Sequence, residues 1–229
     1  MLKLNATRPD KLLEKTVYST ATINAEGLVL MRVMEDGEET VKASAGAASE
    51  IFVGFSWMHN IVPSIVSKVM NVTVSATPFN ATLKPNLLAA NIKIVRDSDG
   101  TVLTEGNPAS VDEYSVVDLT GVVTFNSADE AETMTCTFRY SPSALELKFD
   151  YPDADVNINP AFEVVGSIGV ITEGAVYTDQ FDASVDWNTA TALKMGAAGI
   201  VNSAGTVTIP NARVVHVPDV DNPFLGIEF

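Results

Sequence analysis

Residues 133–140, Thr-Met-Thr-Cys-Thr-Phe-Arg-Tyr, leave this chain the least freedom. Met134, Cys136, Phe138 and Tyr140 fall at one parity, and Thr133, Thr135, Thr137 and Arg139 at the other. A period of two is what a half-buried β-strand requires, because successive side chains point to opposite faces of a sheet. Around this strand, residues 89–140 read as an antiparallel β unit. Strands at 91–95 and 101–104 flank Asp99-Gly100, which supplies the positive φ of a tight hairpin. Further strands at 114–117 and 121–125 are joined by a turn at 118–120, and the polar loop 126–132 leads into the final strand. With 72–76 as its first strand, the unit is expected to form a β-sandwich over 70–141.

On either side the strands are shorter and punctuated by glycine. Residues 17–23 and 27–34 are strand candidates, the second almost continuously apolar and therefore expected to be buried on both faces. A charged turn at 35–39 follows, and the Gly- and Ala-rich 44–49 leads into a strand at 51–57. The Gly and Ala content there points to a tight bend or close backbone approach in a small barrel, where a larger side chain would clash. After Ser141-Pro142-Ser143, residues 144–149 alternate again. Residues 162–171 read as a glycine-interrupted strand, 172–174 as a turn and 175–177 as its return. Short strands at 196–201, 206–209 and 212–217 complete the set, with 202–205 as a hairpin.

The expected fold is therefore all-β: a small barrel assembled from both ends of the chain, 16–68 plus 143–217, carrying the 70–141 sandwich as an insertion. Two consecutive domains are the simpler rival. Residues 1–15 form an N-terminal arm, since Arg8-Pro9-Asp10 argues against an early regular element and 11–15 offers two helical turns at most. Residues 218–229 form a C-terminal tail. A chain of 229 residues buries about 70% of its unfolded surface, enough for two small cores.

Charge excludes one class of partner. With 29 acidic against 14 basic residues the formal net charge is −15, and no basic stripe exists to hold a phosphate backbone, so no nucleic-acid binding is expected. No apolar run reaches membrane-spanning length, and the first seventeen residues lack the apolar core of a signal peptide. Synthesis in a cytosol and no membrane association are expected. A single cysteine precludes an internal disulfide, and Cys136 at an inward strand position reads as a packed small side chain.

Catalytic chemistry finds little to work with. The only imidazoles are His59 and His216, neither beside a recognisable motif, and His216 reads as a packed strand residue. Gly196-Ala197-Ala198-Gly199 lacks the Lys-Ser/Thr of a phosphate loop, and Gly166-Ser167-Ile168-Gly169 lacks the helix and third glycine of a dinucleotide site. The best metal candidates are Asp153 and Asp155, in an acidic stretch with oxygen-bearing side chains at 153, 155, 157 and 159. It lacks the mid-loop glycine and terminal glutamate of a helical calcium loop, which favours a solvated strand edge instead. Neither an enzyme nor a resident cofactor is expected. Trp57 and Trp187 offer stacking surfaces for a sugar, but core or subunit-contact roles suit them better.

The central stretch resembles modules of tailed-bacteriophage virion proteins in its polar-ended hairpin 94–100, the Tyr-Ser-Val strand at 114–116, the Gly-Val-Val-Thr-Phe strand at 121–125 and the closing Thr137-Phe138-Arg139-Tyr140-Ser141. Residues 170–177 and the loop 179–187 are similar to the small barrels of phage head-decoration, or cement, proteins. The resemblance implies a homotrimer that sits on the outside of a capsid, binds the major capsid protein and bridges neighbouring subunits, made in the host cytoplasm. It carries over no functional residue. The chain's own candidates for capsid or intersubunit contact are Leu12, Leu13, Trp57, Phe224, Leu225 and Phe229. A carbohydrate-binding or host-adhesion module and a tail or baseplate component are the alternatives.

Overall fold

The computed structural model describes residues 6–57, 65–143, 146 and 166–229. The fold is all-β. From the N-terminus come β1 (Arg8–Val17), β2 (Val29–Glu35), β3 (Glu38–Ala43) and β4 (Phe52–Trp57). The middle supplies β5 (Val66–Thr73), β6 (Asn80–Thr82), β7 (Leu87–Arg96), β8 (Val102–Glu105), β9 (Glu113–Val117), β10 (Val122–Thr124) and β11 (Thr133–Tyr140). The C-terminal part supplies β12 (Ser167–Thr178), β13 (Lys194–Met195), β14 (Val201–Asn202), β15 (Val207–Thr208), β16 (Arg213–His216) and β17 (Leu225–Glu228).

The first sheet runs β1-β3-β2-β4-β12-β17-β16 and folds back on itself through a β1–β12 pairing, giving a nearly closed barrel. Long β12 makes this possible. Along one edge it takes β1, and along the other it takes β4 through residues 169–171 and then β17 through 175–178. Alternation divides the apolar residues between two cores. Leu30, Val41, Ile168 and Val170 fill the barrel interior, while their neighbours Val29 and Ile171 face outward onto Phe55, Phe181, Trp187, Leu225 and Ile227. Small strands β14-β13-β15 cover that outer core.

The second sheet, β5-β11-β7-β8-β9-β10-β6, lies wholly within residues 66–140. Its organising strand behaves as the alternation dictates: Met134, Cys136, Phe138 and Tyr140 are buried against Ile94, Leu103, Tyr114 and Phe125. Burial pushes the Cys136 thiol up to about 12, so it is a packing group. Thiol reagents at neutral pH should therefore leave the native protein unmodified and label one site only after unfolding, a contrast that a mass-resolved time course would reveal.

Several expectations change. Residues 8–15 are strand rather than arm: Pro9, which has no N–H to donate, falls where the β1–β12 register slips, so the ladder passes it without losing its frame. Thr172-Glu173-Gly174 is no turn but the middle of β12. Gly174, at φ +126°, allows the β1 backbone at Arg8 and Pro9 to lie where a side chain would stand. The tail is not free, because β17 pairs with both β12 and β16. Strands β14 and β15 do not pair as a 202–205 hairpin; each pairs with β13.

The strand predicted over 27–34 is buried on both faces only at its start, since Arg32 and Met34 emerge beyond the barrel interior. The central unit is not wholly antiparallel: β8 and β9 share two parallel rungs, Thr104 with Glu113 and Glu105 with Tyr114. The intervening loop is held back on the sheet by an Arg96–Asp112 ion pair at 2.6 Å. Val66–Lys68 belongs to β5 and hence to the second sheet. His59, the alternation at 144–149 apart from Glu146, the stretch holding Asp153 and Asp155, and residues 162–165 lie outside the described residues.

Candidate docking surface

The six contact candidates do not form one surface. Leu225 is buried in the outer core. Phe229 packs edge-on to Phe52 at 5.7 Å and tilted against Phe55 at 4.9 Å, so the aromatic end of the chain completes its own core. Phe224 is half-buried beside a 300 Å³ depression that it lines with Val66, Lys68, Tyr140 and Asp179. The remaining three divide between neighbouring strands, Leu12 and Leu13 on β1 and Trp57 on β4, where it packs against the outer core. Leu12 is 48% and Leu13 36% exposed on β1, and register places Glu14, Gly169 and Trp57 side by side across β1, β12 and β4. Leu12, Leu13, Glu14, Ser167, Ile168 and Gly169 line a shallow groove of about 370 Å³.

Two adjacent leucines on a strand point to opposite faces, so β1 is solvated on both sides over this length. Only Thr16 and Val17 pair with β3, which leaves the outer backbone edge of Arg8–Lys15 without a partner strand among the described residues. Three of the charges along it are engaged within the chain: Lys15 binds Glu39 at 2.6 Å, Lys11 approaches Glu173 at 3.7 Å, and Glu14 accepts from Ser167 Oγ at 2.6 Å. The hydrogen bond from Lys15 holds the Glu39 carboxyl below its ordinary value. Around Leu12 and Leu13, β1 therefore presents apolar side chain and open backbone, the two elements that strand addition uses.

No protein-family model, curated protein or solved structure matches this chain. Among the described residues no group of three His, Cys, Asp or Glu is placed to hold a metal ion, and no helix is long and apolar enough to cross a membrane. His216 Nε2 lies 3.1 Å from the Asn222 carbonyl oxygen, with its ring beside Tyr177.

A second feature, the seam between the two sheets, escaped the sequence argument. Arg139 sits at the polar parity of β11 yet is only 7% exposed, because that end of the strand abuts the segment after β12. Its Nη2 donates to Gln180 Oε1 at 3.2 Å, and Gln180 Nε2 in turn donates to the Ile65 carbonyl at 3.1 Å. Ser67 Oγ donates to the Phe181 carbonyl at 3.0 Å. Burial pushes the Arg139 guanidinium down from its usual value while Asp179 and Asp182 pull it back. Farther along, Lys93 of β7 pairs with Asp186 at 3.1 Å. The only trace in the sequence is that an arginine closes a run of threonines.

Proposed function

We propose that this chain is a virion structural protein that binds the outside of a tailed-phage capsid through its major capsid protein and bridges neighbouring subunits as a trimer, without catalysis. The observation that carries the proposal is β1, where Leu12 and Leu13 stand exposed on a strand with one open edge, flanked by Lys11, Glu14 and Lys15, whose charges are engaged within the chain. Such an edge suits docking against another chain better than it suits bulk water. Two sheets joined by a polar seam supply rigidity, and a net charge of −15 suits an outer surface held away from packaged DNA.

Light scattering of the purified protein, followed by co-sedimentation with capsid shells from the same source, tests this directly. A trimer that pellets with shells supports the proposal, and a monomer that stays in the supernatant defeats it. The double variant L12E/L13E should weaken shell binding at least about 30-fold, as loss of a central anchor does. Because both side chains are partly exposed, its unfolding free energy should fall by only about 1 kcal/mol, and a urea titration separates that loss from the loss of binding. Undiminished binding would move the contact away from β1.

A further inference from the structure

The seam opens at one point into a cleft of about 260 Å³ between the outer face of β7 and β11 and the loop 182–190. Its polar floor contains Asp97, Thr135 and Thr137 from the second sheet, with Asp186 and Asn188 facing them and the Lys93–Asp186 pair bridging the two sides. Val185, Val217 and Pro218 form an apolar wall. Among the described residues, the Thr137 hydroxyl makes no hydrogen bond, and Asn188 makes only a 3.5 Å contact from its Nδ2, so its side-chain carbonyl is uncommitted. The Asp97 carboxylate receives the Thr135 hydroxyl at 2.7 Å and retains further acceptor capacity.

Two carboxylates against one ammonium make the cleft acceptor-rich and repel anions. The acceptors call for a ligand that brings hydrogen-bond donors, and the wall for one that brings a C–H surface. We propose that this cleft binds a single uncharged sugar ring, its hydroxyls donating to Asp97 and Asn188 and exchanging a hydrogen bond with Thr137. The volume sits at the lower end of ligand cavities, about 300 Å³, which suits one ring rather than a chain of them. No stacking platform assists, since Trp187 is buried and its indole N–H donates to the Asp182 carbonyl at 3.1 Å. The cleft is distinct from the β1 groove, and binding here does not depend on capsid docking.

Saturation-transfer NMR on the full chain tests the site, using the methyl glycosides of glucose, galactose, mannose and N-acetylglucosamine, with calcium chloride alone, monitored by titration calorimetry, as a separate arm. At least one glycoside should bind with a Kd of about 1 mM. Thr137→Val, which keeps the side-chain shape, and Asn188→Ala should each weaken that binding about 5-fold while leaving the thermal midpoint in place. The proposal is overturned if no glycoside saturates below about 50 mM. Parent-like affinity in both variants, or a response to calcium chloride with none to the glycosides, overturns it equally.

Discussion

Arg96→Met is expected to lower the unfolding free energy by about 3 kcal/mol, because it strands a buried carboxylate. Arg96 Nε and Nη2 both donate to Asp129 Oδ1, at 3.0 and 2.7 Å, and Asp129 is only 1% exposed. Asp129 Oδ2 has no hydrogen-bond partner among the described residues, so the guanidinium is what keeps this charge tolerable inside the second sheet. The same side chain reaches Asp99 at 3.0 Å and Asp112 at 2.6 Å, tying the β7–β8 turn and the loop before β9 to one cation. Those carboxylates, Asp112 foremost, raise its already high pKa, so it stays charged at any working pH. Methionine keeps most of the aliphatic stem but none of the charge. Urea denaturation should show a lower midpoint with an unchanged slope, and the R96M/D129A pair should recover most of the loss, since removing both partners leaves no orphan. A single variant as stable as the parent would mean that Asp129 finds another partner.

Gly54→Ala should cost about 3 kcal/mol, the upper part of the usual range for overpacking, because the new methyl group meets backbone. A Cβ at this position in β4 would drive into the Ile171 carbonyl oxygen and lie 2.7 Å from Val170 Cγ1. Neither atom yields cheaply: Ile171 is a rung of both the β1 and the β4 ladders, so moving it disturbs two pairings together, and Val170 is fully buried. Gly37, in the β2–β3 turn at φ +86° with open space around it, is the matched control; its alanine variant should lose only about 1 kcal/mol, for the left-handed backbone alone. Thermal unfolding followed by tryptophan fluorescence reads both, since Trp57 and Trp187 pack in or against the outer core. A loss at Gly54 no larger than that at Gly37 would show that β4 and β12 separate at little cost to admit the methyl group.

The two glycines also show how far local chemistry reaches. The Gly and Ala content around Gly54 reads as a tight bend or a close backbone approach, yet nothing in that stretch says which of the two applies at Gly54 or that the approaching strand is β12. Gly174 led the other way. Thr-Glu-Gly reads as a turn, but the strand continues, because β1 lies against it and a bare Cα suits that contact as well as it suits a bend. Local propensity counts the residue type; only the neighbouring strand says which use the glycine serves. The contact candidates divide in the same manner. Phe229 and Leu225 look like a docking tail because terminal apolar residues have no visible partner in sequence, whereas Phe52 and Phe55, far earlier in the chain, supply one.

The sequence by itself determined the all-β class, the β11 strand with its buried Met134, Cys136, Phe138 and Tyr140, and the Asp99-Gly100 hairpin. Each rests on interactions within a few residues, where alternation and backbone preference act directly. Tertiary structure alone decided that residues 8–15 form a strand, that β12 runs unbroken past Gly174, that Arg139 is buried in a seam and that the aromatic tail closes a core. These outcomes depend on pairing between segments up to more than 150 residues apart, such as Ser167 with Glu14. The free energy of that pairing resides in the partner strand, which periodicity does not identify.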